Sequence, residues 1–174
     1  MKKLLERIKL CKLPPPQRRS LPFECYWEDS ILTQEQERIF SNQWLGLGRS
    51  DRLENPGEYE VFDLCGQALV LIRDQDKELK LYANTCRHRG AKLLDGSGQC
   101  QAISCPFHGW TYSLDGKLKH AKTMEENPSF DFAEHSLIEY KLKELQGFLF
   151  CFLSNNPQDL SNQPSNLSEL HQRG

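Results

Sequence analysis

Long apolar runs are missing from this chain of 174 residues. The longest, Phe148–Leu153, has the length of a single strand, whereas a membrane-spanning helix needs about 18 or more apolar residues. The N-terminus begins Met-Lys-Lys-Leu-Leu, but Glu6, Arg7 and Lys9 interrupt the apolar core that a signal peptide requires. We therefore expect a cytoplasmic protein that makes no contact with a membrane.

A strong net charge of either sign is also missing. The formal net charge is −2 at pH 7, and 26% of the residues are charged, as in ordinary globular proteins. This balance gives no reason to expect a nucleic-acid partner. Only residues 1–20, which include Pro14–Pro16, are basic, with a local charge of about +6. We interpret this segment as a mobile solvated tail, and a docking arm for a partner is the alternative.

A disulfide pattern is missing as well, although the chain has seven cysteines. The number is odd, and the spacings do not resemble those of a small secreted domain. Free thiols in a reducing compartment are therefore expected at the positions outside the motif described next. These positions are Cys11, Cys25, Cys65, Cys100 and Cys151.

Two short segments in the middle of the chain each combine one cysteine with one histidine. The first reads Cys86-Arg-His88-Arg-Gly90, and the second reads Cys105-Pro-Phe-His108-Gly109. Thiolates and imidazoles suit soft and borderline metals. A Rieske [2Fe–2S] centre needs two cysteines on one iron and two histidines on the other. Gly90 and Gly109 fit the tight loops that such ligands require, because glycine adopts positive φ without strain.

A structural zinc site is the alternative reading of the same residues. Zinc fingers usually place two cysteines in one half of the motif and two histidines in the other. Here each half mixes the two residue types, which favours a centre that separates thiolates from imidazoles.

The residues around the motif carry a resemblance to a known family. The segments NTCRHRGAKLL (84–94) and CPFHGWTYSLDGKL (105–118) closely resemble the Rieske motifs of ring-hydroxylating oxygenase α subunits. The resemblance covers roughly residues 21–155. It implies that Cys86 and Cys105 hold the inner iron and that His88 and His108 hold the outer one. It also implies that the domain takes electrons from a reductase or ferredoxin. A mononuclear Fe(II) centre then uses them to hydroxylate an organic substrate with O2.

The second iron site of that family is not evident in this sequence. Such a site needs two histidines and one carboxylate. The remaining histidines, His120, His135 and His171, are scattered and are expected at the surface. We therefore expect the catalytic iron domain to be supplied elsewhere, in the same gene or a separate chain. This chain alone would transfer electrons without turning over substrate. A stand-alone Rieske ferredoxin is the alternative, and an oligomer is compatible with the resemblance.

Residues beside the ligand candidates are expected to set the reduction potential. Ala91 and Phe107 occupy the positions at which respiratory Rieske proteins carry two further cysteines, so the corresponding disulfide cannot form. Trp110 replaces a serine hydroxyl of those proteins, while Tyr112 is positioned to bond a ligating cysteine. The loss of a donor to cluster sulfur disfavours reduction. We expect a potential in the lower part of the Rieske range of about −150 to +300 mV.

The histidine ligands are also expected to mark where electrons leave. One imidazole nitrogen would bind iron, and the other would lie near the surface and contact a partner. His88 and His108 are therefore the expected exit, and the neighbouring Arg87, Arg89 and Trp110 are expected to shape the docking face. The alternative is a solvated arginine pair beside a packed indole.

Short strands separated by turn residues indicate an all-β fold of small antiparallel sheets. The resemblance makes this a Rieske fold with two cluster-binding loops, preceded by a short N-terminal helix that Thr33 and Gln36 would open as a capping box. Asp95–Gly98 is expected to be a turn, and Asp115-Gly116 a hairpin turn. The predicted organisation is a tail (1–20), an entry segment and helix (21–43), the Rieske domain (44–155) and a polar tail or start of a catalytic domain (156–174).

Overall fold

The computed structural model describes residues 2–122 and 124–154 and divides after Ser41 into two compact units. The first unit contains helices α1 (Lys2–Lys9) and α2 (Asp29–Arg38). Short 3-10 turns lie at Leu10–Lys12 and Phe23–Tyr26. An exposed ion pair joins Arg7 to Glu24 at 2.6 Å. No helix in the described ranges has both the length and the apolar character needed to cross a bilayer.

Helix α2 begins earlier than the sequence predicts. Its first residue is Asp29, so the capping box expected from Thr33 and Gln36 is wrong. Thr33 lies inside the helix and donates its hydroxyl to the carbonyl of Asp29 at 2.9 Å. A threonine hydroxyl can bond the carbonyl one turn back as readily as it can cap a helix, and the sequence pattern alone does not separate the two.

The second unit is built from antiparallel strands, which confirms the all-β prediction. The strands are β1 (Leu45–Arg49), β2 (Glu58–Leu64), β3 (Gln67–Arg73), β4 (Leu79–Ala83), β5 (Ser97–Gln99), β6 (Ile103–Ser104), β7 (Thr111–Tyr112), β8 (Leu118–His120), β9 (Glu139–Leu145) and β10 (Phe148–Phe152). Seven of them form one sheet in the order β1-β10-β9-β4-β3-β2-β5, and the sheet β6-β7-β8 contains the other three.

Strand β3 separates two hydrophobic cores. Successive side chains of a strand point to opposite faces, so a fully apolar strand feeds both. Val70 and Ile72 pack in one core, whereas Leu69 and Leu71 pack in the other. All four side chains are completely buried. The first of these cores also contains both cysteines of the motif, so the candidate metal centre is built onto the edge of a packed interior.

The hairpin between β7 and β8 is confirmed, whereas strand β5 was not foreseen. The N–H of Gly116 donates to the carbonyl of Ser113 at 2.9 Å, and Gly116 has a φ of 79°. Strand β5 lies where the sequence indicated only a turn, and Tyr59 of β2 is paired with Gly98. Its residues are small and polar, so backbone pairing rather than a hydrophobic pattern forms this strand. The predicted segment 156–174 lies outside the described residues.

Candidate metal centre

The first loop of the motif is closed by two backbone hydrogen bonds around Cys86. The N–H of Cys86 donates to the carbonyl of Ala91 at 2.8 Å, and the N–H of Gly90 donates to the carbonyl of Cys86 at 3.0 Å. Gly90 has a φ of 74°, and an added Cβ would meet no atom within 4 Å. The glycine is therefore required by the backbone conformation and not by crowding.

The second loop repeats this arrangement around Cys105. The N–H of Cys105 donates to the carbonyl of Trp110 at 2.8 Å, and the N–H of Gly109 donates to the carbonyl of Cys105 at 3.1 Å. Gly109 has a φ of 69°. In both loops the cysteine is bonded to the residues four and five positions later, although the Cys–His spacing differs by one residue. The sequence gives the ligand candidates, and the backbone makes the two loops equivalent.

The two loops meet at a cavity of about 500 Å³. It is lined by both cysteines and both histidines of the motif. Cys86 and Cys105 are buried, with 2% and 4% of their surfaces exposed, whereas His88 is half-buried and His108 is exposed. The two imidazole centroids lie 4.8 Å apart with ring planes at 80°. The thiols thus line the buried side of the cavity, while His108 reaches solvent.

His88 provides a test of whether these residues fit a metal cofactor. Its Nδ1 atom is buried and has no hydrogen-bond partner in the described part of the chain. A buried polar atom without a partner is costly, which is why such atoms in folded proteins usually have one. Burial lowers the pKa of His88, and the charges of Arg89 and His108 lower it further. The neutral imidazole that results is the form that binds metals. An unpartnered nitrogen on a ring that lines a cavity with two thiols fits a soft metal centre.

Tyr112 is positioned to donate to Cys86. The Tyr112 hydroxyl lies 3.4 Å from Cys86 Sγ and accepts the N–H of Arg87 at 3.0 Å. A thiolate at Cys86 offers only acceptors, so the hydroxyl would be the donor to it once the sulfur is deprotonated. Tyr112 is completely buried. Burial raises the pKa of its hydroxyl, and the bond to Cys86 raises it further, so the side chain stays a donor at neutral pH.

Trp110 is buried, whereas the sequence predicts that it contributes to the surface. Only 2% of its surface is exposed, so the alternative of a packed indole, and not a part in a docking face, is correct for this residue. The indole instead stacks on the His88 ring, with centroids 4.8 Å apart and planes at 13°. Its apolar bulk fills the core into which the second loop turns, which explains its burial.

Three residues that sequence reasoning undervalued lie around these loops. Asn84 is 1% exposed, and its side chain bonds both backbone groups of Leu94, at 2.8 and 2.9 Å, which joins the two ends of the first loop. Phe130 and His135 pack edge-on against Trp110, with centroid distances of 5.6 and 5.7 Å. The sequence did offer a signal for Phe130 and His135. Aromatic residues cluster there in a segment that is otherwise typical of a polar loop.

The remaining histidines are placed separately. His120 is exposed and its Nδ1 contacts a carboxylate oxygen of Glu125, and His135 is half-buried rather than a free surface residue. His171 lies outside the described residues. Within residues 2–122 and 124–154, no three His, Cys, Asp or Glu side chains converge as ligands of a single metal ion.

Basic side chains line this cavity and an adjoining one, and one of them, Lys92, forms an ion pair with Asp95. Arg89 and Lys92 line it together with Phe107, of which 73% is exposed. Lys122 lines an adjoining cavity that also includes both motif histidines. Arg87 is exposed. Neither of these two cavities has a carboxylate among its described lining residues.

Comparison with known proteins finds relatives over most of this chain. Residues 43–138, more than half of the chain, match the model of the Rieske [2Fe–2S] domain. The carnitine monooxygenase oxygenase subunit of Escherichia coli (strain K12) is 33% identical over 150 residues, which cover 86% of this chain and 40% of that protein. The apo form of a quaternary ammonium Rieske monooxygenase superposes with a TM-score of 0.82 at 31% identity, over 90% of this chain and 46% of that one.

A more distant solved structure shares the fold. Naphthalene 1,2-dioxygenase from Rhodococcus sp. superposes with a TM-score of 0.82 at 23% identity, covering 98% of this chain and 38% of that chain. The chain thus spans less than half of the length of each of these relatives.

Proposed function

The chain belongs to the Rieske [2Fe–2S] domain family, and on that premise we propose that it delivers single electrons to the iron centre of an oxygenase. We assign the cluster ligands as Cys86, His88, Cys105 and His108. The observation that carries this assignment is the unpartnered Nδ1 of His88, on a ring that lines the same cavity as two buried thiols. When bound, the [2Fe–2S] cluster accepts one electron and releases it again.

The environment of each ligand supports this role. Cys86 and Cys105 lie at the edge of the apolar core. The negative charge that reduction adds to the centre is shielded from water there. His108 is exposed, so its second nitrogen can contact a partner directly. Asn84, bonded to Leu94, holds the ends of the first loop and limits how far Cys86 can move. The residues therefore bury the sulfur side of the centre and expose an imidazole.

The relatives favour a monooxygenase role for the larger assembly. Carnitine is a quaternary ammonium compound, and the solved relative at 31% identity is described as a quaternary ammonium monooxygenase. The aromatic-ring dioxygenase is only 23% identical. We therefore propose that the recipient iron, in the same gene product or a separate chain, acts on a quaternary ammonium substrate. With its reductase and recipient iron present, addition of carnitine should stimulate O2 uptake, and stimulation by naphthalene alone would overturn this proposal.

Metal analysis with spectroscopy tests the cluster assignment. The purified protein should contain two irons and two acid-labile sulfides per chain. Pulsed electron paramagnetic resonance (EPR) of the reduced protein should show two histidine nitrogens coupled to one iron. Stoichiometric reduction by a ferredoxin, followed by reoxidation, would complete the demonstration. One zinc per chain without sulfide would instead establish the structural zinc alternative.

Removal of the Tyr112 hydroxyl should lower the reduction potential. The hydroxyl donates toward Cys86 Sγ, and this bond strengthens when reduction adds negative charge to the centre. Tyr112→Phe is therefore expected to lower the potential by roughly 60 mV, the one-electron equivalent of about 1.4 kcal/mol. Tyr140→Phe is the control, because the Tyr140 hydroxyl bonds Gln67 in the other core. Equal potentials for wild type and Tyr112→Phe in a redox titration would show that the sulfur receives no such bond.

The basic rim of the cavity fits an electron donor with an acidic surface. Arg89 and Lys122 lie beside the motif histidines, and opposite charges steer two proteins together. Arg89→Glu with Lys122→Glu is expected to slow reduction by an acidic ferredoxin roughly tenfold at low salt. Lys141→Glu on β9, away from both cavities, is the control. Equal stopped-flow reduction rates for wild type and this double variant would contradict steering at this rim. A difference between them that is as large at about 0.5 M salt as at low salt would also contradict it.

A further inference from the structure

The plane of the His88 ring needs a fixed orientation, yet hydrogen bonds do not provide one. Rotation about χ2 of histidine is broad and is not held by a staggered minimum. Metal-binding histidines are usually oriented by a hydrogen bond from the nitrogen that does not bind the metal. Within residues 2–122 and 124–154, the buried Nδ1 of His88 has no hydrogen-bond partner, and the side chain as a whole is only partly buried. A different contact must therefore orient it.

Besides its edge-on contact with the exposed His108 ring, the His88 ring lies flat on the buried indole of Trp110. The two rings are nearly parallel, with planes at 13° and centroids at 4.8 Å. A ring held flat against an immobile indole can no longer rotate freely about χ2. The indole can restrict rotation of the His88 ring only if its own plane is fixed. The backbone of Trp110 alone does not fix the angle of that plane.

Two side chains from a single segment hold the indole. Phe130 and His135 meet Trp110 edge-on, at plane angles of 79° and 72°. They also pack on each other, with centroids 4.4 Å apart. His135 Nδ1 donates to the carbonyl of Asp131 at 2.8 Å, which fixes the imidazole at a defined angle.

The segment that carries these rings is anchored at both ends. Ala121 and Leu137 are buried, and the N–H of Leu137 donates to the carbonyl of Gly116 in the β7–β8 hairpin at 2.8 Å. Between them, the N–H of Asn127 donates to Met124 and the N–H of Phe130 donates to Asn127, each at 3.0 Å. Residues 124–137 thus present the aromatic side chains to Trp110 and are held by backbone hydrogen bonds of their own.

We propose that Phe130 and His135 are positioning residues that act through Trp110 to fix the ring plane of His88 and hence the direction of its Nδ1. This inference rests on the proposed role of His88 as a cluster ligand. Neither residue touches the cavity that would hold the cluster. Their contribution is to keep one ligand of the outer iron in a single orientation.

The test compares Phe130→Leu/His135→Ala with a matched variant of the same segment. Phe132 packs on Phe130 with centroids 5.1 Å apart but makes no ring contact with Trp110, so Phe132→Leu is the control. In the reconstituted double variant, the EPR lines should broaden and the coupling of one histidine nitrogen should change. Loss of the cluster to a chelator should be roughly tenfold faster. His135→Phe keeps an aromatic edge but loses the bond to Asp131, so its EPR lines and cluster loss should lie between those of wild type and the double variant.

Several results would overturn the proposal. Unchanged EPR lines in the double variant would do so, as would equal changes in the couplings of both histidines. A Phe132→Leu protein as altered as the double variant would show only general loosening of the segment.

A second readout does not need the cluster: in the apo protein, the stacked indole should shift the NMR signal of the His88 ring proton upfield. The double variant should lose this shift, and its retention would overturn the proposal. A wild-type protein that shows the shift but binds no cluster would refute the proposed function alone.

Discussion

Replacement of Cys105 by alanine is expected to give a folded protein that carries no [2Fe–2S] cluster. Cys105 lines the cavity beside Cys86, and only 4% of its surface is exposed. Without this thiolate, the inner iron would keep one protein ligand in place of two. Loss of a small buried side chain costs about 1 kcal/mol, which leaves most of a stability of roughly 5–15 kcal/mol. Iron and sulfide analysis and visible absorption should both fall to background while the circular dichroism spectrum is kept.

Cys100→Ala is the matched control for this prediction. Cys100 is partly buried against the same core but does not line the cavity of the motif. Burial raises the pKa of its thiol, so it remains protonated and a poor metal ligand at neutral pH. Cys100→Ala should therefore bind as much iron as wild type. Full iron content in Cys105→Ala, or loss of the cluster in both variants, would contradict the ligand assignment.

Replacement of the buried Gly57 by alanine is expected to destabilise the protein strongly. Gly57 precedes β2 with a φ of 84°, and a Cβ there would lie 2.0 Å from the carbonyl oxygen of Cys100. The same two residues are bonded, because the N–H of Cys100 donates to the carbonyl of Gly57 at 3.0 Å. The obstruction is backbone and cannot move aside as a flexible side chain would. Strain and overpacking together should lower the free energy of unfolding by about 3 kcal/mol.

Gly66→Ala separates the two causes of this loss. Gly66 has a similar φ of 79°, but a Cβ there would meet no atom within 4 Å. Only the conformational cost applies, so a loss of about 1 kcal/mol is expected. In thermal unfolding, the Tm of Gly57→Ala should be lower than that of wild type by roughly 6–12 °C. The Tm of Gly66→Ala should be lower by roughly 2–4 °C. Equal shifts for the two variants would mean that the contact with Cys100 has no energetic effect.

Local chemistry explains why much of the site was predictable from the sequence. Each half of the motif folds within six residues, since its closing hydrogen bonds join Cys86 to Ala91 and Cys105 to Trp110. Gly90 and Gly109 meet their conformational demands without help from distant residues. The hairpin at Asp115-Gly116 depends on turn preferences of the same local kind. Short apolar runs such as 68–72 likewise identify strands, because alternate residues can supply two cores.

The sequence by itself determined the ligand candidates, the tight loops that present them and the all-β character of the chain. Only the tertiary structure decided which neighbours act on them. Trp110 changes from an expected surface residue to a buried support for His88 because Phe130 and His135, twenty and twenty-five positions away, pack against it. Asn84 gains its role only when Leu94 returns to meet it. Turn geometry is fixed by adjacent residues, whereas burial and ring stacking depend on long-range packing that no local pattern encodes.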